Sequence, residues 1–536
     1  MTMKNRLLFL SHLAYASYKT SYIIRLKYPK NERGSLIMKL NNLLSTINIL
    51  ETFMDKNVTI SGIAYHSQKV MKDNIFVCIK GYETDGHKYL QQAAESGAAA
   101  AIVETFNKDI HIPQYRVANS RDALAMLSHY FHDYPSKKLN MIGITATNGK
   151  TTTAYMTNAI LENKYTTGLI GTVDIKIGDK TIPSKLTTPE SLELHGYLDD
   201  MVKHNVSHVT MEVSSAAQEM SRVKDVDYDI VSLNNISREH IDTHGSFENY
   251  FEKKSRLITK AKKDSFAILN LDDDYSKSLI NQTEAQVVTF SLHSRDGFFH
   301  CKDLDLSTGR ARFTLEILKP IKLKNRTIEP GSFAVKLGVP GLHSVYNAMV
   351  AIIIALLSDV PVDIIQKTLE NFKGVKRRFE FIHENNITIV DDHFANPGNI
   401  NVTLETLKFM DYKKLHLVYA IRGHRGATVN KENAETIVKW ASKLQLDHLM
   451  VTTSQSHVTK LDKVSQDEVD AFKQVMNDAN INFTLYTELP DAIHESLQRA
   501  QTGDLILLAG CQGMDDGAHI SLKQLEEINT TTLVPL

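Results

Sequence analysis

The chain has 536 residues, more than one core can organise, and at roughly 100 to 200 residues per domain it predicts about three domains. With 42% hydrophobic and 23% charged residues each domain has enough apolar material for a core, while a net charge of -1 supplies no field for nucleic acid or a membrane surface. Cys78, Cys301 and Cys511 are odd in number, far apart and form no CxxC pair, which argues against a disulfide framework or structural zinc and for a reducing cytoplasm.

In chain order, residues 1–37 carry seven Lys or Arg against one Glu. A signal peptide is one reading, but the apolar run "RLLFLSHLAYASY" is interrupted by His and Tyr and followed by more basic residues, and the residues are read as a basic N-terminal extension. Residues 38–138 predict a small α/β substrate domain: strands at "VTISGIAYHS", "NIFVCIKG" and "QYRVAN", a helix over "HKYLQQAAESGAAAAIVE", and a second helix, "SRDALAMLSHYFHDYP", that stops at Pro135. Residues 139–374 cycle through "LNMIGITA", "TGLIG", "HVTMEVSS", "DIVSLNN" and "FAILNLD" with helical stretches between, as a parallel sheet with crossover helices requires. The apolar run "AMVAIIIALL" at 348–357 falls short of the roughly 18 residues of a membrane span and suits a buried helix. Residues 375–536 repeat the alternation with "ITIVDD", "LHLVYAI", "DHLMVTT", "NFTLYT" and "DLILLAG", a Rossmann-like doubly wound sheet. The expected fold is therefore α/β in three domains, with a central phosphate-loop sheet and a C-terminal Rossmann-like sheet.

The chemistry concentrates at "MIGITATNGKTTTAYMTNAIL", a strand, a turn ending in Gly149-Lys150-Thr151, and a helix. In a phosphate-binding loop the backbone N–H groups surround the phosphates, the lysine lays its ammonium on them and the next hydroxyl meets Mg²⁺. Here Thr147, Asn148, Gly149, Lys150, Thr151 and Thr152 would supply those groups, although the first glycine of the usual pattern is replaced by Ile144. Companion residues point to the same place. "TMEVSS" sets Glu212 at the carboxyl end of a strand, and "NNISREHIDTHGSFENYFEKKSRL" gathers His240, Asp242, His244 and Lys254 beyond another. Glu212, a His and the loop Thr151 around phosphate suit hard Mg²⁺ ions, which keep several waters and share oxygens with substrate.

Taken together, "GYETDGHKYLQQAAESGAAAAIVE", "TATNGKTTT", "TTPE", "MEVSS", "LNLDDD", "GVPGLHSVYNAMVA", "RRFE" and "DDHFANP", in order from about residue 60 to 425, resemble the Mur ligases. The N-terminal pattern and "TTPE" look most like their UDP-N-acetylmuramoyl-tripeptide synthetase branch. The resemblance implies an ATP-dependent ligase that activates a carboxylate as an acyl phosphate and joins it to an amine, in the cytoplasm, in peptidoglycan precursor synthesis. It puts Lys150 on the ATP phosphates and Thr151, Glu212, His240 and Lys254 around two Mg²⁺ ions, with Lys254 carbamylated. It puts Asn270 and Asn347 near the nucleotide, Arg378 on phosphate, Asp392 on ribose, and Ser67, Thr187, Thr188, Ser214 and Arg425 on a UDP-sugar-peptide or the amino acid.

Several positions depart from the family pattern. Ala146 stands for a glycine in the phosphate loop, and "AYHSQKV" for D-S-R around Ser67. In the C-terminal domain "AIRGHRGATVNKENAE", "VTTSQSHVTK" and "LLAGCQGMDDGAHI" replace the motifs that read the incoming amino acid, so another amine is expected, with Arg422, His424, Arg425, Ser454, His457, Asp515 and His519 as candidate readers. Two other readings are a Mur-like ligase for a carboxylate outside the cell wall, such as a polyglutamate or peptide metabolite, and a nucleotide-binding partner protein without activity.

Overall fold

The computed structural model describes residues 38–81, 84–237, 246–307, 309–444 and 446–532. The chain separates into two compact units, one ending at Asp133 and the other starting at Tyr134.

In the first unit five strands form one sheet in the order Glu51–Phe53, Gln114–Arg116, Ala100–Val103, Asn74–Val77, Gly62–Ala64. All neighbours are parallel except the edge pair of the first two. One expectation is corrected here: the helix predicted over 87–104 ends at Glu95, and Ala100–Val103 is a central strand. Gly97 takes φ +98, which L side chains rarely adopt, while Gly97 N–H and Ala98 N–H donate back to Ala94 O and Ala93 O. That left-handed end terminates the helix, and the apolar, β-branched Ile102-Val103 that follows is fully buried as strand.

The second unit holds two large sheets. Among the described residues the first has eleven strands, in the order 180–183, 174–177, 167–170, 208–212, 140–145, 230–233, 266–270, 286–291, 299–305, 310–317, 331–340. The strands from Thr167–Ile170 to Phe299–Asp305 in this order run parallel, and those from Thr167–Ile170 to Phe266–Asn270 are buried almost throughout, as in a sheet covered on both faces. The antiparallel strands 310–317 and 331–340 extend the sheet in a stretch for which the sequence analysis named no element. The helix Leu342–Leu357, which contains the longest apolar run, is buried along nearly its whole length and packs on the helix Lys150–Leu161. No described helix is long and apolar enough to cross a membrane.

The other sheet has the order Glu380–Glu384, Thr388–Asp392, Leu505–Ala509, Leu415–Ala420, Leu446–Thr452, Phe483–Tyr486. Only Glu380–Glu384 is antiparallel, so this is the doubly wound arrangement expected, with a crevice at the carboxyl ends of the strands.

Candidate active site

The strand Asn140–Thr145 is apolar and buried, and its carboxyl end releases the chain into Ala146–Gly149 before the helix Lys150–Leu161 begins. Gly149 caps that helix at φ +89, a conformation that glycine adopts without steric cost. A Cβ there would lie 2.3 Å from Asn347 Oδ1, so this glycine is required twice over. Ala146, in contrast, has no positive φ, and its methyl is buried, which is how the loop accepts it. The loop is held from outside by Asn235: Asn148 N–H donates to Asn235 Oδ1 at 3.0 Å, and Asn235 Nδ2 donates to Asn148 O at 2.9 Å.

Lys150 and Lys254 meet at one atom. Lys150 Nζ donates to Ala146 O at 2.8 Å and to Thr147 O at 3.0 Å, while Lys254 Nζ donates to the same Ala146 O at 2.5 Å. Lys254 is only 2% exposed and stands 5.2 Å above the Tyr250 ring, whose hydroxyl is 3.0 Å from Thr147 Oγ1. Two ammonium groups on one carbonyl repel each other, and the cost falls if an anion enters or one amine loses its charge.

Glu212 ends the strand His208–Glu212 and pairs in register with Ile144, directly beside the loop. It is fully buried, yet its carboxylate is well provided with donors. Thr151 Oγ1 donates to Oε2 at 2.8 Å, Thr172 Oγ1 to the same oxygen at 3.0 Å, and Thr172 N–H to Oε1 at 2.7 Å. Thr172 Oγ1 also lies 3.1 Å from Thr187 Oγ1. Thr188 Oγ1 donates to Glu212 O at 2.8 Å and accepts from Ser214 N–H at 3.1 Å, so Thr187, Thr188 and Ser214 join the same cluster. The family implies Mg²⁺, and a carboxylate flanked by two hydroxyls beside the loop is an oxygen donor set of the kind this ion takes. His240, with Asp242 and His244, lies outside the described residues.

Behind the loop, Asn347 Oδ1 accepts from Thr153 Oγ1 at 3.1 Å and from Asn234 Nδ2 at 3.3 Å, leaving its buried Nδ2 without a partner. Asn270 Nδ2 donates to Asn234 O at 3.0 Å, so Asn270 supports the loop through one intermediary. The helix that carries Asn347 also contributes Leu342, His343 and Tyr346 to a cavity of about 180 Å³ closed on the other side by Val402, Thr406 and Phe409. Burial holds the His343 imidazole down at about 4, so it is neutral at pH 7.

Among the described residues Arg378 and Asp392 bond to other partners. Arg378 Nη1 donates to Arg377 O at 3.1 Å, and the Asp392 carboxylate accepts from Phe379 N–H at 2.9 Å and from the Thr403 hydroxyl. Arg425 is exposed, its Nη1 3.2 Å from His424 O. Its loop is anchored by Glu468, which accepts from the N–H groups of His424, Arg425 and Gly426. Burial raises the Glu468 carboxyl, but the N–H groups of Ser465, Arg425, Gly426 and His424 outweigh it and hold it below the usual range. Within the first unit Ser67 is buried and donates to Gln92 Oε1 at 2.8 Å. Sequence reasoning missed Thr172, Asn234 and Asn235. Each lies just past the end of a parallel strand, the one signal that could have found them.

Family models match three stretches: "Mur ligase family, catalytic domain" over residues 59–132, "Mur ligase middle domain" over 144–355, and "Mur ligase, glutamate ligase domain" over 377–512. The UDP-N-acetylmuramoyl-L-alanyl-D-glutamate--2,6-diaminopimelate ligase of Bacillus cereus is 31% identical over 88% of this chain and 93% of its own length. The ligase of the same description from Bacillus velezensis is 34% identical over 88% and 94%. In three dimensions the chain is similar to a solved UDP-N-acetylmuramoyl-L-alanyl-D-glutamate--2,6-diaminopimelate ligase, with TM-score 0.64, 21% identity and coverage of 92% of this chain and 100% of the other. It is also similar to the MurF ligase of Thermotoga maritima in complex with ADP, with TM-score 0.58, 20% identity and coverage of 87% and 98%. With relatives above 30% identity matched along almost their whole length, and with a phosphate loop, a buried carboxylate and two lysines converging at one point, the chain belongs to the Mur ligase family of ATP-dependent, ADP-forming amide ligases.

Proposed function

We propose that this ligase extends a UDP-N-acetylmuramoyl-peptide by one amino acid in the cytoplasm, and that its acceptor is UDP-N-acetylmuramoyl-L-alanyl-D-glutamate. The observation that carries the chemistry is the convergence of Lys150 and Lys254 on Ala146 O beside the Glu212 cluster. On ATP entry Lys150 Nζ leaves the loop carbonyls for the phosphates, and the N–H groups of the loop and helix start take their oxygens. Asn347 Nδ2 is a buried donor available to that region, and the base lies in the cavity between Leu342–Tyr346 and Val402–Phe409. Mg²⁺, when bound, would neutralise charge on the transferred phosphoryl group; Thr151, Glu212 and His240 would hold magnesium, and a carbamylated Lys254 a second ion. Carbamylation turns the Lys254 ammonium into a carboxylate and removes the repulsion at Ala146 O. Thr187, Thr188 and Ser214 orient the acceptor, whose carboxylate takes the γ-phosphoryl group. The amine then attacks the acyl phosphate and phosphate leaves. Arg378 and Asp392, from the domain over 375–536, complete the nucleotide contacts when ATP is bound, and Ser67 belongs to UDP recognition.

The amine is proposed to differ from that of the relatives. A distal carboxylate needs a matching arginine in a polar cradle, and Arg425 is the exposed arginine on a loop whose N–H groups are already taken by Glu468. A phosphate-release screen of amino acids with UDP-N-acetylmuramoyl-L-alanyl-D-glutamate tests this. Lysine or another amine should be turned over with diaminopimelate weak. Efficient, selective use of diaminopimelate would refute the specificity argument, and silence with every amino acid would favour a carboxylate outside the cell wall.

A further inference from the structure

Chain passage from the helix Val362–Asn371 into the strand Glu380–Glu384 runs through a tight turn, in which Arg378 N–H donates to Val375 O at 2.9 Å. Arg377 at φ +57 and Phe379 at φ +52 both adopt the left-handed conformation that bulky L-residues avoid. Such geometry persists only where surrounding contacts impose it. For Arg377 those contacts are all on the third-domain side. Its side chain is 9% exposed, and the guanidinium donates to Gly510 O at 2.5 Å, to Cys511 O at 3.0 Å and to the Asp515 carboxylate, with Asp391 Oδ1 3.4 Å from Nε. Its own N–H donates to Glu380 Oε2 at 2.9 Å.

The segment it grips, Gly510–Asp516, follows the strand Leu505–Ala509 at the carboxyl edge of the sheet, where a doubly wound fold receives ligands. That segment touches the other candidate amine readers. Asp516 Oδ2 is 2.9 Å from His457 Nδ1, and Gly513 packs so that an added Cβ would lie 3.4 Å from Ser454 Cβ. Cys511 Sγ lies 3.3 Å from Phe394 O, just beyond the strand that carries Asp392. One arginine therefore ties the turn that holds its neighbour Arg378 to the loops that face the incoming amine.

We propose that Arg377 is a positioning residue of the amine site: by holding Gly510–Asp516 against the turn of Arg378 it sets the place from which the amine attacks the acyl phosphate. This rests on the ligase reading above. It touches no reacting atom, and a guanidinium is required because its Nε, Nη1 and Nη2 each reach an acceptor in this segment or in Asp391, a demand that a lysine's single ammonium does not meet.

The test separates acyl-phosphate formation from amine capture. Full-length Arg377→Ala and Arg377→Lys, with folding checked by circular dichroism, are given ATP, Mg²⁺ and UDP-N-acetylmuramoyl-L-alanyl-D-glutamate without amino acid, and the acyl phosphate is trapped with hydroxylamine. Amide formation is then measured against concentration of the amino acid that the wild-type protein uses, from a pool of the proteinogenic amino acids and diaminopimelate. Hydroxamate yield should stay near wild type while KM for the amino acid rises on the order of 10- to 100-fold in Arg377→Ala, the scale of a small misplacement, and less in Arg377→Lys. Unchanged KM, or equal loss of hydroxamate and amide, overturns the proposal. Should Arg377→Ala fail to fold, Arg377→Lys and Asp515→Asn decide. If both act through one clamp, the double variant is no worse than the worse single one, whereas additive effects on KM overturn it. A wild-type protein that forms no hydroxamate overturns the acceptor reading and this proposal with it, while hydroxamate without the KM effect overturns this proposal alone.

Discussion

Replacing Gly149 by alanine tests whether the loop is built as described. The backbone at this residue has φ +89 and ψ -3, and an L-residue in the left-handed region costs about 1–2 kcal/mol. The new Cβ would sit 2.3 Å from Asn347 Oδ1 and 3.2 Å from Asn347 Nδ2, so the buried Asn347 amide must turn away. It would surrender the hydrogen bonds from Thr153 Oγ1 and Asn234 Nδ2, worth about 1 kcal/mol each. The sum is about 3–4 kcal/mol, roughly a hundredfold or more in the local opening equilibrium of the helix start. Hydrogen exchange at Lys150–Leu161, read by mass spectrometry with and without ATP, measures that quantity directly. Protection should fall by about two orders of magnitude and ATP affinity should drop with it. Ala146→Gly is the control, since Ala146 has an ordinary φ and the change should cost under about 1 kcal/mol. Wild-type protection and ATP affinity in Gly149→Ala would mean that neither the glycine conformation nor the Asn347 contact supports the loop.

Lys150→Ala should reduce turnover on the order of a hundredfold or more, because the ammonium now bonded to Ala146 O and Thr147 O is lost to the phosphates, and wild-type amide formation would remove the loop's assigned role. Lys254→Ala should be nearly inactive and partly restored by short carboxylates, and wild-type protein supplied with ¹³C-bicarbonate should show a carbamate resonance that the variant lacks; full activity without rescue would leave Lys254 structural. Stability should fall on acidification through His208, stacked on Tyr165 and held down to about 4 by burial and by nearby Lys164. The fold keeps the neutral ring, so its stability is complete above the unfolded value near 6.5 and is lost as pH falls toward 4, by about 2 kcal/mol at pH 5. In His208→Gln the change in unfolding midpoint between pH 7.5 and pH 5 should shrink accordingly, and an unchanged gap would remove His208 as its source.

Much of this arrangement was legible in the residues themselves. Parallel strands read well because each is a short, continuous apolar run, and Glu212 could be placed because it ends one of them in "TMEVSS". The error at Ala100–Val103 has a physical origin: "SGAAAAIVE" has no alternation, so periodicity cannot tell buried strand from buried helix, and only the left-handed Gly97 decides. The strands 310–317 and 331–340 passed unread because their partners are antiparallel neighbours rather than members of the alternating pattern, and the parallel strands 286–291 and 299–305 were not named either. Asn234, Asn235 and Thr172 were invisible for a different reason. Their value lies in which loop atoms they reach across 40 or more residues, as Glu212 reaches Thr172 and Asn235 reaches Asn148, and a single sequence carries no record of such pairs.

The two ends of the site thus obey different rules. Around the phosphate loop the chain has gathered two ammonium groups on Ala146 O, the buried Glu212 carboxylate and, beside Gly149, the buried Asn347 Nδ2 without a hydrogen-bond partner among the described residues. A polyanion bound here would be attracted by both ammonium groups, so replacing either lysine should weaken ATP binding. At the carboxyl edge of the third sheet many polar groups are paired with one another, Glu468 with the N–H groups of His424, Arg425, Gly426 and Ser465, Asp515 with Arg377 and His457 with Asp516, whereas the buried Ser454 Oγ and Arg422 Nε have no partner among the described residues. Satisfied groups do not select a ligand by their own need for a partner; they select by the shape in which they are held. On the proposed reading the choice of amine depends on how these loops are held, and Arg377, a buried arginine in a strained turn, is the residue proposed to hold them.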